Sequence, residues 1–176
     1  MNIDWPGTAL KIGSGRGGGT DVARNAISEI LGSEAITGAV EHYITYIDGS
    51  ELARSVLGLL RPKVAMDYCM KIYREDDHLR RRQSSIELLR NIGDRRAFEW
   101  VPELLNDPDP TIQTWGASMV DELLFAGYIE ADDCVKILVT MSEHSNPGVQ
   151  RYHELILEFL SLNEDNSEQA VTPNGP

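Results

Sequence analysis

From Thr20 onward the chain breaks into apolar-periodic segments of about 11 to 16 residues, each closed within a few residues by Gly, Pro, Asn or Asp. Segments this short cannot stand alone in water, and their apolar faces must be buried against one another. No stretch alternates with period two, so no sheet is expected. The periodicity predicts nine helices, near 21–31, 34–47, 51–60, 63–74, 78–92, 96–105, 111–126, 130–142 and 148–161. The fold class is all-α.

The helix starts follow from the need of first-turn N–H groups for an acceptor. Thr20, Ser33, Ser50, Asp77, Asp94, Asp109 and Asn146 stand where such an acceptor is required, and Pro110 and Pro147 follow the last two, at positions where a missing N–H costs nothing. Pro102 either kinks the sixth helix or delays its start. The first 19 residues hold Pro6 and the glycine cluster 13–19 without a sustained period, and are expected to be a flexible leader. The helical domain is expected over 20–162 and a disordered tail over 163–176.

Alternate helices can be laid over one another. Val22, Leu52, Leu79, Ile112 and Val149 each follow a helix start by two or three residues, at intervals of 30, 27, 33 and 37. Seven and eight positions on come Leu59/Leu60, Met119/Val120 and Ile156/Leu157, which read as core. In the best-matched units, Asp109-Pro110-Thr111-Ile112-Gln113-Thr114-Trp115 parallels Asn146-Pro147-Gly148-Val149-Gln150-Arg151-Tyr152.

The stretch Ile92-Gly93-Asp94-Arg95-Arg96-Ala97, continued by Val101-Pro102-Glu103-Leu104-Leu105-Asn106-Asp107-Pro108-Asp109, resembles the linker and first helix of a HEAT repeat of the phycobilisome-lyase-like subtype. The resemblance centres on residues 79–125. It departs from the pattern at Gln113 and Gln150, where that family usually has arginine, and at Trp115, Gly116 and His153. It implies a short right-handed α-solenoid of antiparallel helix pairs, with partners held on the concave face.

Charge narrows the function. Residues 1–96 carry 14 Lys/Arg against 13 Asp/Glu, a net of +1, whereas residues 97–176 carry 2 against 15, a net of −13. A field so polarised favours a basic partner at the acidic end and disfavours nucleic acid there. No apolar run is long enough for a membrane span, and the start has no signal-peptide pattern, so a cytoplasmic location without membrane attachment is expected. Cys69 and Cys134 lie far apart among apolar residues and read as buried free thiols.

Several motifs invite chemistry. Gly13-x-Gly15-x-x-Gly18 is a literal dinucleotide fingerprint, but its mechanism needs a strand before it and a parallel strand after it. Thr8–Ile12 has room for only a very short strand, and everything downstream reads as helix. Arg80, Arg81 and Arg82 form an alternative basic patch, yet consecutive helical residues cannot all face one ligand, and Asp76, Asp77, Glu87 and Asp94 interleave. The carboxylate pairs fall mostly at helix starts and turns, where capping accounts for them. His42, His78, His144 and His153 have no metal-ligand spacing. No metal, cofactor, or placed acid, base or nucleophile emerges, so catalysis is not expected.

Trp115 and Tyr152 occupy equivalent positions where smaller side chains are usual, which makes them candidate surface aromatics. With Asp121, Glu122, Asp132, Asp133 and Glu154 they compose the expected binding surface. The resulting expectation is a small acidic adaptor or inhibitor that binds a basic protein. An immunity protein that neutralises a basic nuclease toxin has this physical profile. A chromophore-lyase subunit or a HEAT-like nucleic-acid repair protein is the alternative that the resemblance offers.

Overall fold

The computed structural model describes residues 3–13 and 19–171, excepting the side chains of 163–171. Among the described residues there are nine α-helices, one 3-10 segment and no strand. The chain divides into two compact units, Met1–Ala97 and Phe98–Pro176.

Unit 1 holds α1 (Trp5–Lys11), α2 (Thr20–Ile44), α3 (Ser50–Leu60), α4 (Lys63–Glu75) and α5 (Leu79–Ile92). The leader thus contains a helix where none was expected. Asp4 caps it by accepting the Gly7 N–H at 3.0 Å, and Pro6 sits in its first turn. Thr8–Ile12 belongs to that helix and its C-cap, so the strand that a dinucleotide fingerprint needs is replaced by helix. Residues 14–18, most of the glycine cluster, lie outside the described residues. The first two expected helices follow each other within α2, separated by a kink at Gly32, whose φ 77° and ψ 162° are not helical. A positive φ suits glycine, and the helix resumes at Ser33. The core of this unit is Val40 and Tyr43 of α2, Leu57 of α3, Met66 and Cys69 of α4, and Ile86 and Leu89 of α5.

Unit 2 begins inside a 3-10 segment (Arg95–Trp100) and continues with α6 (Val101–Leu105), α7 (Pro110–Phe125), α8 (Ala131–Ser142) and α9 (Pro147–Val171). Pro102 delays the α-helical start: the turns before it are 3-10, and Pro102 lies in the first turn of α6. The α9 backbone stays helical to Val171, past the expected helix end at 161, because no Gly or Pro interrupts it before Pro173. Residues 172–176 lie outside the described residues. Leu104, Ile112, Met119, Val120, Met141, Val149 and Ile156 form the core. Gly116 admits α7 to α6, since a Cβ there would stand 2.8 Å from the Leu104 Cβ.

One local device recurs. Asp109 caps α7 by accepting the Thr111 and Ile112 N–H groups, while its own N–H donates to Asp107 Oδ1 at 2.8 Å and Gln113 reaches back to the Asp107 carbonyl at 2.7 Å. Asn146 accepts the Gly148 N–H, its own N–H donates to His144 Nδ1 at 3.0 Å, and Gln150 reaches back to the His144 carbonyl at 2.8 Å. In unit 1 the His78 N–H donates to Asp76 Oδ1 at 2.9 Å, and Arg82, four residues on, reaches back to the Tyr73 carbonyl. Gln113 and Gln150 therefore do the same work, clipping the preceding turn to the new helix, whereas Arg82 at the matching offset reaches farther back, to the last turn of α4.

This device corrects the repeat register. In unit 2 the anchors Ile112 and Val149 are fully buried, as expected. In unit 1 the residue at the corresponding offset from the helix start is Arg81, and the expected anchors Leu52 and Leu79 are exposed. Leu59 and Leu157, expected in the core, are exposed too, whereas Leu60, Met119, Val120 and Ile156 are buried.

Candidate protein-binding site

The expected site residues are distributed over three helices of unit 2. Trp115 is half-buried in α7 and lines an open groove of ≈ 410 Å³ with Pro110, Thr111, Thr114, Pro147 and Gly148. The groove exists because α7 and α9 both start with proline after a polar cap, and the two starts lie against each other. Asn146 ties them, donating from Nδ2 to the Pro110 carbonyl and to Gln113 Oε1, both at 2.8 Å. Tyr152, six residues beyond Asn146, is half-buried in α9. Both aromatics therefore reach the surface only in part.

The carboxylates divide by role. Asp133 accepts the Glu130 N–H at 2.9 Å as one arm of the capping box that starts α8, so it holds the backbone and is only half-exposed. Asp132 beside it is exposed. Asp121 and Glu122 lie in the last turns of α7, half-exposed and exposed, and Glu154 is exposed on α9.

Sequence reasoning missed the apolar part of this surface. Phe125 is 76% exposed at the end of α7, although its ring meets that of Phe159 of α9 at 5.8 Å between centroids. Leu155 and Leu162 of α9 are 40% and 55% exposed. Phe125 directly follows the buried pair Leu123-Leu124, and at about 100° per residue it falls beside the buried stripe rather than on it.

The three arginines of the alternative patch go three ways, as 100° steps require. The Arg80 guanidinium lies 5.1 Å from the Tyr46 ring centroid. Arg81 bridges Glu41 at 2.8 Å and Asp76 at 2.7 Å, and Tyr68 donates to the same Glu41. Arg82 donates to the Tyr73 carbonyl at 2.9 Å and lies over its ring. The hydrogen bond from Arg81, with a second from the His78 N–H, holds the Asp76 carboxyl below its ordinary range. At the end of unit 1, burial works against the charge on Asp94, but the side chain and N–H of Arg96 outweigh it and keep this carboxyl low.

Cys69 and Cys134 are free and buried. Burial pushes the Cys134 thiol up to about 11, with Asp133 adding to it, and raises Cys69 further. Neither is poised as a nucleophile at neutral pH. Among the described residues no group of three or more His, Cys, Asp or Glu could hold a metal ion, and no helix is long and apolar enough to cross a membrane.

No family model, no curated protein and no solved structure matches the chain. The fold and this surface define a class only: an all-helical protein of two units, the second strongly acidic and exposing apolar side chains along α7 and α9.

Proposed function

We propose that the protein is a protein-binding module, an adaptor or inhibitor that takes a basic protein on residues 98–176 and carries out no chemistry of its own. The observation that carries this reading is the coincidence of two properties in one unit: 15 acids against 2 bases, and Phe125, Leu155 and Leu162 left open to water on helices that hold the unit together. A carboxylate field steers a basic partner and rejects an acidic one, while short-range affinity comes from apolar anchors. The proposal includes a HEAT-type, right-handed stacking of the helical pairs, for which the matching clips at Asp107 and His144 are the support. It also includes a cytoplasmic location, in keeping with two buried reduced thiols. An immunity protein against a basic toxin is the member of this class that best fits the charge. For the nucleic-acid alternative to hold, Arg81 and Arg82 would have to leave the partners they have within unit 1.

Affinity capture on the immobilised chain tests the reading. A basic protein eluting as salt rises is expected. Charge reversal at the exposed Asp132 and Glu154 should weaken that capture, and reversal at the exposed Arg80 should not. Recovery of nucleic acid that depends on Arg80 would contradict it.

A further inference from the structure

Helices α7 and α9 run side by side in the same direction. Their first turns meet where Gly148 lies against Thr114, a contact that a Cβ on Gly148 would obstruct, and farther along them the Phe125 and Phe159 rings touch. Phe125 stands ten residues along the helix from Trp115, about 15 Å or nearly three turns. On α9, Leu155, Glu158 and Leu162 share one face at spacings of three and four, and all three are exposed. On α7, Glu122 stands one turn before Phe125. Apolar anchors and carboxylates therefore alternate along the paired helices.

We infer that this α7/α9 face docks an amphipathic helix of about three turns from a partner protein, with apolar residues at helical spacing and Lys or Arg flanking them. The inference rests on the reading of unit 2 as a surface for a basic protein, and it adds where that protein binds and in what form. Helix-in-groove recognition needs apolar anchors spaced by helical turns, which Trp115, Phe125, Leu155 and Leu162 provide. Charge selects among occupants. A second copy of the chain would set carboxylates against carboxylates. The chain's own end is also unsuitable, because residues 163–176 carry Glu164, Asp165 and Glu168 and no Lys or Arg. A cationic helix meets neither penalty. Arg151, one turn before Leu155, gives the face a polarity: the partner's cations belong toward the Phe125 and Leu162 end.

The probe is a fluorescent Lys/Leu peptide of about 14 residues with its leucines at helical spacing, beside a scrambled peptide of the same composition, and fluorescence anisotropy is read with the full chain. The periodic peptide should bind about tenfold or more tightly than the scrambled one. Phe125→Ser with Leu155→Ser should remove at least about tenfold of that affinity while circular dichroism shows the helices intact, since neither side chain is buried. Leu162→Ser alone is the milder variant and should weaken binding by several-fold. Equal binding of the two peptides would overturn the inference, because charge alone would then suffice. Periodic binding that the serine variants leave unchanged would also overturn it, leaving the basic-partner reading in place. A chain that sediments as a dimer and becomes monomeric on Phe125→Ser would make a second copy the occupant. Failure of both peptides, together with capture that yields no basic protein, would remove the underlying reading as well.

Discussion

Both units leave an apolar strip open to water, and they differ in what surrounds it. In unit 1 the strip is on α3, where Leu52, Val56 and Leu59 are exposed at spacings of four and three. Its neighbours Glu51 and Arg54 pair with each other at 2.6 Å, and other cations of the unit have carboxylate partners: Lys11 with Glu29, Lys63 with Asp67, Arg81 with Glu41 and Asp76, Arg96 with Asp94. In unit 2 acids exceed bases by thirteen, and carboxylates such as Asp107, Asp109 and Asp133 are spent on backbone N–H groups instead. Exposed apolar area alone therefore does not choose a partner. The same kind of strip reads as a general contact in neutral surroundings and as a basic-helix site in acidic ones.

The largest effect is expected for Gly116→Ala, whose Cβ would crowd Leu104 and should cost about 1–3 kcal/mol in urea unfolding. The matching change at Gly58 of α3, with its nearest atom at 3.9 Å, should be neutral or stabilising. Next comes Asn146→Ala, which removes a helix cap and the tie to Pro110 and should cost about 1–2 kcal/mol.

Asp94→Asn sharpens the contrast through pH. The folded Asp94 carboxyl lies below its ordinary value of 3.8, so its contribution is present above that value and disappears as pH falls through the lower folded value. The variant should lose about 1 kcal/mol at neutral pH and nothing relative to the parent at the acid end, which paired urea titrations across that range would read. The smallest effect belongs to the exposed pair of α3: Arg54→Ala should change stability by less than about 0.5 kcal/mol. A larger loss there would mean that unit 1 depends on its surface pairs more than this comparison allows.

Much of the fold was legible because local chemistry determines it. The prolines at 110 and 147 and their polar caps mark the starts of α7 and α9, and the periodicity places Ile112, Val149, Met119 and Ile156 inside. What was not legible depends on which neighbour covers which face. Leu52 and Leu79 share the apolar character of true anchors, but unit 1 buries other faces of α3 and α5, and the turn bond from the His78 N–H to Asp76 marks the register. The break in α2 at Gly32 was legible, since glycine followed by serine signals a stop and a new start. At the surface, Trp115 and the acidic residues could be picked out by type, whereas Phe125 could not. Its exposure follows from a position next to a leucine pair that takes up the core face.

The most direct test compares the two strips in one experiment: the affinity of the full chain for the periodic Lys/Leu peptide, measured for Phe125→Ser/Leu155→Ser in unit 2 and for Leu52→Ser/Leu59→Ser in unit 1. The account predicts a loss of about tenfold or more for the first and a change within about twofold for the second. Equal losses, or a loss confined to the α3 variant, would contradict it.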